Sequence, residues 1–179
     1  MPLIDLDGEN SIAEWWSVVQ LLLTAVLLSA NGVVEANSRW KAYWFGLSAL
    51  FVLLSMDESA GFHERIMTFL EPYHFTGFFL SSWIIPYGIV CAILAAVCLP
   101  FIAALPRGIC VRVVIAAGLF AALGMEAIGG YCISSKAPRI CYRVEYLLEE
   151  SGEMIAITFF ILTLLMILES RCRTFAIKL

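Results

Sequence analysis

The sequence predicts an all-α protein, an integral membrane bundle of five transmembrane helices forming one domain over residues 1–179. Three observations carry that expectation. The 179 residues are 61% hydrophobic and 15% charged, with a mean hydropathy of +0.90, too apolar a composition for an ordinary water-facing surface. Apolar stretches of roughly 20 residues recur along the chain, enough helix to span a hydrocarbon core of about 30 Å. Nothing alternates with the period of two that a membrane barrel requires, so backbone polar groups in lipid must pair within helices.

The first helix is expected over about residues 15–34, where the apolar run goes from Trp15 to Val34. Its leader, MPLIDLDGENSIAE, holds acids and no Lys or Arg. A signal peptide opens with positive charge, so this segment reads as a retained helix. The second apolar run is Trp40 to Met56. Its helix is expected to continue to about residue 69, because only Gly61 weakens it before Pro72 stops it. The third, over 78–105, is long enough to tilt, and Pro86 is placed to kink it. The fourth is expected over 109–130 and the fifth over 144–169, the latter carrying an apolar run from Tyr146 to Leu168. NSRWK and LPRG make tight connections at one end, while the longer segments 57–76 and 131–143 lie at the other. Trp15, Trp16, Tyr131, Trp40 and Tyr43 read as interfacial anchors, with Tyr73 and His74 at headgroup depth, and no chemistry is assigned to them.

Orientation follows from Lys and Arg. Arg39, Lys41, Arg107, Arg112, Arg171, Arg173 and Lys178 fall on one side, and Arg65, Lys136, Arg139 and Arg143 on the other. The excess predicts an N-terminus outside and a cytoplasmic C-terminus. Cys91, Cys98, Cys110 and Cys172 are expected to be reduced. Cys132 and Cys141 flank the outer loop ISSKAPRI, where a bridge would persist, although spacing alone leaves bridged and free thiols both open.

Ten of the fifteen carboxylates sit near one end of the apolar segments: Glu14, Asp57, Glu58, Glu64, Glu71, Glu126, Glu145, Glu149, Glu150 and Glu153. An acid at mid-membrane depth costs roughly 2.5–3.5 kcal/mol on insertion scales, so each must face a partner, a cation or water. In RVEYLLEESGEM, Glu145, Glu149 and Glu153 share one helical stripe, with Glu150 just beside it. Glu145 fits an ordinary helix N-terminus facing water, whereas Glu153, followed by an uninterrupted apolar run, does not. In MDESAGFHER, Asp57 and Glu64 lie seven residues apart on one face, with His63 nearby. Those groups together suit a divalent metal, although they lack the Glu-x-x-His spacing of di-iron bundles. Pairing of Asp57 or Glu64 with Arg65 or Arg143 explains them equally well. Glu126, in LGMEAIGGY, is expected to point inward between close-packed helices. Its expected partner is His63 or a carboxylate sharing a proton, with Ser55, Ser59 and Tyr131 completing the hydrogen bonds.

The chain has no Walker glycines, no HExxH and no nucleophile elbow. Two His argue against bis-His haem, and no basic stripe is present for nucleic acid.

LLSMDESAGFHERI followed by EYLLEESGEMIAITFFILTLL resembles a group of small, uncharacterised multi-pass bacterial membrane proteins that pair a "DE…HE" helix end with an "EE…E" helix start. The resemblance covers two of the five expected helices and implies that Asp57, Glu58, His63, Glu64, Glu149, Glu150 and Glu153 belong together. It implies a bacterial inner (plasma) membrane and no catalytic role.

The leading expectation is a polar carboxylate–histidine site at the outer side of the bundle that binds a divalent metal ion or a proton. Asp57, Glu58, His63, Glu64, Glu126, Glu149, Glu150 and Glu153 are its ligands or proton carriers. One alternative is a membrane-embedded, metal-dependent enzyme acting on lipid or a small redox substrate. Another is a structural or accessory subunit whose acids are interhelical glue. The expected partners are the lipid bilayer and a homo-oligomer or larger membrane complex.

Overall fold

Ser11 and Asn37 start the first two helices, each through its side chain. Ser11 Oγ accepts the Glu14 N–H at 3.1 Å, opening α1 (Ile12–Val34). Asn37 Oδ1 accepts the Arg39 N–H at 2.9 Å, opening α2 (Ser38–Ala60). Such caps satisfy amides that have no partner within the helix. In this computed structural model, which describes residues 11–119 and 122–177, the protein is all-α. After α1 and α2 come α3 (Phe62–Leu70), α4 (Ile84–Ala103), α5 (Arg107–Leu119), α6 (Ala122–Ser134) and α7 (Arg139–Ile177). Two single 3-10 turns, Glu71–Tyr73 and Gly77–Phe79, lie between α3 and α4. The leader before residue 11, the Arg173 side chain and Lys178 lie outside the described residues.

The α1–α2 hairpin is held by polar groups on apolar helices. Ser17, Gln20, Thr24 and Asn31 are buried along α1. Gln20 Nε2 donates to Thr158 Oγ1 at 2.7 Å, and Asn31 Nδ2 donates to the Leu164 carbonyl at 3.2 Å, tying α1 to α7. Ser48 Oγ donates to the Ala25 carbonyl at 2.8 Å and lies 2.8 Å from Ser29 Oγ, tying α2 to α1. Between apolar helices, small and hydrogen-bonding side chains of this kind supply the contact that hydrophobicity alone does not. At Gly32 a Cβ would lie 3.1 Å from Trp44 Cβ, so the missing side chain sets how closely α1 and α2 approach.

The core gathers at the end where α1 finishes and α2 begins. Leu27, Leu28, Trp44, Phe101, Leu164 and Ile167 form it. Trp44, 2% exposed, meets the Phe101 ring edge-on at 4.9 Å between centroids. Its indole N–H donates to Glu35 Oε2 at 3.1 Å, and the same oxygen pairs with Arg171 Nη2 at 2.8 Å. Burial pushes the Glu35 carboxyl up, but the Asn37 amide, the Trp44 indole and Arg171 more than offset this and hold it below its ordinary value. A depressed carboxyl stabilises the fold fully above the ordinary glutamate value of about 4.3, and that contribution disappears as pH falls through the folded-state value. Glu35→Gln is therefore expected to lower stability by about 1–3 kcal/mol at neutral pH. The gap from the native protein should close below about pH 4 in thermal melts of detergent-solubilised protein. A gap independent of pH would contradict the ion pair.

The second helix departs from expectation. Instead of running unbroken to about residue 69, it stops at Gly61, whose φ of +59° and ψ of +48° are left-handed. The Gly61 N–H bonds the Asp57 carbonyl, and the chain turns by 68° between Ser38–Ala60 and the segment Phe62–Tyr73. Glycine accepts this conformation without the Cβ penalty, so the weak point acts as a full stop. Pro86 produces no break, because α4 starts at Ile84 and Pro86 falls in its first turn, where a missing N–H costs nothing. α5 and α6 occupy the stretch expected as one helix over 109–130, and residues 120–121 between them lie outside the described residues. α7 has 39 residues rather than the expected span of 144–169. It begins directly after Pro138, whose carbonyl accepts the Cys141 N–H at 2.8 Å, so the start is set by the turn and not by the apolar run.

Three helices are long and apolar enough to cross a membrane: α1, α4 and α7, with the bent α2–α3 pair a fourth if it counts as one span. Among the described residues three or four spans thus meet this test, and the span expected over 109–130 crosses residues outside the described ones. In α4 the apolar window has a hydropathy of 2.3, yet only 11% of it is buried inside the protein. A face that apolar needs a covering of lipid or protein.

Candidate functional site

The turn at Gly61 builds the first wall. Asp57, at the end of α2, accepts the His63 backbone N–H at 3.0 Å through Oδ1, which also lies 3.3 Å from His63 Nδ1. Its Oδ2 accepts the Tyr87 hydroxyl at 2.9 Å. The Trp83 ring packs between them, 5.2 Å from His63 and 5.1 Å from Tyr87. This closed knot fixes the direction in which α3 leaves α2.

Glycines build the opposite wall. At Gly130 a Cβ would lie 3.1 Å from the Gly77 carbonyl oxygen and 3.2 Å from Leu80 Cβ, so the 77–82 segment can lie directly on α6. The Gly77 N–H donates to Ser134 Oγ at 2.9 Å, and Ser81 Oγ donates to Glu126 Oε1. At Gly129 a Cβ would lie 2.6 Å from Glu145 Oε2, so the bare backbone there leaves space for that carboxyl. Cys132 and Cys141 are disulfide-bonded, with Cα atoms 6.3 Å apart, and clip the end of α6 to the start of α7. Closing so short a loop stabilises by roughly 2–3 kcal/mol in the chain-entropy account.

Between these walls lies a cavity of about 720 Å³. α3 contributes His63, Glu64, Met67, Thr68 and Leu70, and the linker to α4 contributes Glu71, His74, Phe75, Leu80, Ser81, Ser82 and Trp83. α6 contributes Glu126, Gly129, Gly130 and Ile133, and α7 contributes Tyr142, Glu145, Tyr146 and Glu149. Glu145 is 5% exposed, and its Oε1 has no hydrogen-bond partner. Glu149, one helical turn further along α7, lines the same cavity.

Of the eight expected site residues, His63, Glu64, Glu126 and Glu149 line this cavity, whereas Asp57, Glu58, Glu150 and Glu153 lie outside its lining. Asp57 supports it from behind. Glu153 stays within electrostatic range of Glu58, Glu126, Glu150 and His63. Among the described residues, no group of three or more His, Cys, Asp or Glu side chains is arranged to hold a metal ion.

Several local expectations change. Glu126 takes Ser81 as its partner, while Ser55 bonds the Val18 carbonyl and Tyr131 stacks on Phe78. Asp57 pairs with His63 and Tyr87, and Arg65 lies over the Phe62 ring instead of on an acid. Glu145 is buried rather than facing water. Sequence reasoning missed Glu145, Ser81, Tyr87, Trp83, Tyr142, Tyr146 and His74 as parts of the site. For Tyr142 and Tyr146 a signal existed, since with Glu145 and Glu149 they fall at i, i+3, i+4 and i+7 on one helical face.

A helical bundle with a carboxylate-lined cavity at one end is the class this architecture defines. The chain belongs to the family described as domain of unknown function DUF8692, which matches residues 2–168. No curated protein and no solved structure matches it.

Proposed function

We propose that this is an integral protein of a bacterial inner membrane whose carboxylate–histidine cavity, at the outer side of the bundle, binds a cation: a proton or a divalent metal ion. One observation carries the reading. Glu64, Glu71, Glu126, Glu145 and Glu149 line a single cavity with His63 and His74. So many carboxylates beside apolar helices call for compensating positive charge. The long, exposed, apolar faces of α1, α4 and α7 support the membrane setting. The Cys132–Cys141 bridge beside the cavity supports the outer side, since such bonds persist in oxidising compartments.

A proton suits the geometry first. Glu145 and Glu149 lie one turn apart on α7 and both line the cavity, where a proton held between two such carboxyls would relieve their repulsion. A divalent ion would draw on Glu126, Glu145, Glu149 and His63 after these side chains close around it. The glue reading is favoured at Ser81–Glu126 and Tyr87–Asp57, but acids serving only as glue would leave no cavity of about 720 Å³.

Calorimetric titration of the detergent-purified protein with Mn²⁺, in buffers of different ionisation enthalpy, tests the reading. Bound metal is expected to displace protons. Glu149→Gln and His63→Ala are each expected to lower affinity or proton release by about tenfold or more. Proton release and metal stoichiometry unchanged in both variants would reject it.

A further inference from the structure

The cavity is far larger than a bare ion needs, and about 720 Å³ falls in the range of small-molecule sites. Its walls combine carboxylates with the aromatic rings of Trp83, Tyr142 and Tyr146, the pairing that attracts organic cations. Glu145 adds the specific demand. Its Oε1 is buried without a hydrogen-bond partner in a side chain that lines the cavity, and a buried acceptor left unmet is costly until a donor arrives. A smaller hollow of about 290 Å³ adjoins the cavity, shares Ile133 and Tyr142 with it, and carries Arg139 and Arg143. Along α7, therefore, basic, tyrosine and acidic side chains succeed one another between Arg139 and Glu149.

We propose that the cavity takes an aminoethyl phosphate group. Its primary ammonium would lie against Glu145 and Glu149, and its phosphate would face Arg139 and Arg143. The inference rests on the cation reading above and gives the cation a chemical class. A primary ammonium offers N–H donors to the unmet oxygen, whereas a quaternary ammonium offers none. The group could come from a free metabolite or from the head of an aminophospholipid, since both present the same chemistry.

Tryptophan fluorescence of the full chain in detergent, titrated with O-phosphoethanolamine, phosphocholine and glycerol phosphate, tests the proposal. O-phosphoethanolamine is expected to bind at least about tenfold more tightly than either control. Glu145→Gln and Glu149→Gln should each abolish that preference, with thermal melts reporting whether the variants fold. Should Glu145→Gln fail to fold, Glu149→Gln and the native ligand series still decide. Nanodiscs of phosphatidylglycerol with and without phosphatidylethanolamine separate the sources. A response there alone assigns the lipid head, and a response to the soluble compound assigns the free molecule. Phosphocholine or glycerol phosphate binding as tightly as O-phosphoethanolamine overturns the proposal, as does silence to both amine sources. If Mn²⁺ or protons still bind in that case, the cation reading survives without it, and if nothing binds both fall.

Discussion

Trp44→Ala is expected to lower the unfolding free energy by about 3–5 kcal/mol, among the largest losses from any single truncation in this chain. The indole is 2% exposed and packs edge-on against Phe101, its N–H bonds Glu35, and Arg171 lies 5.2 Å from its ring centroid. Its removal therefore deletes the contact joining α1, α2, α4 and α7 and leaves Glu35 short of a donor. In a membrane-compatible bundle the loss is one of packing and hydrogen bonding more than of water exclusion. Trp44→Phe retains much of the packing and should forfeit about 1–3 kcal/mol for the lost indole N–H. Denaturation of the two variants in mixed detergent micelles measures both. Losses below about 1 kcal/mol for the alanine variant would show that this cluster is not the core.

Asp57→Ala is expected to affect the fold and the site together. The carboxylate caps the start of α3 through the His63 N–H, holds the imidazole, and accepts the Tyr87 hydroxyl. Losing a cap and a charged hydrogen bond costs roughly 2–4 kcal/mol. The greater consequence is directional, because α3 forms one wall of the cavity. If the cavity binds a cation as proposed, affinity for Mn²⁺ should fall at least about tenfold although Asp57 lies outside the lining. Asp57→Asn keeps an oxygen for the His63 amide and should retain most of the α3 position. Equal cation affinity in the native protein and the alanine variant, with unchanged melting, would remove Asp57 from any supporting role.

Much of the helical content is legible in the sequence because it depends on local composition. Runs such as Ile84–Ala103 are apolar at nearly every position, and no neighbour is needed to recognise them. Helix ends were less legible. Gly61 reads as a modest weakness within a helix, and only its left-handed conformation makes it a terminus. α7 starts after Pro138, well before the apolar run begins. Within the site, the acid stripe of α7 and the DE…HE end of α2 are visible as patterns. Partners are not. Ser81 meets Glu126 across 45 residues and Tyr87 meets Asp57 across 30, distances over which periodicity carries no information.

Glu145 illustrates the division. By its position near a helix start it resembles a solvated residue, but the open backbone at Gly129 and the disulfide between Cys132 and Cys141 bring α6 against α7 and bury it. Composition and spacing by themselves determined an all-helical chain, its apolar lengths, and the end of the bundle where acids accumulate, since each is a property of consecutive residues. Which acids share a cavity, which stand behind it, and which oxygen lacks a donor were decided only by the tertiary structure. Those are relations between surfaces far apart in the chain, set by glycine contacts, a capped turn and a cross-link.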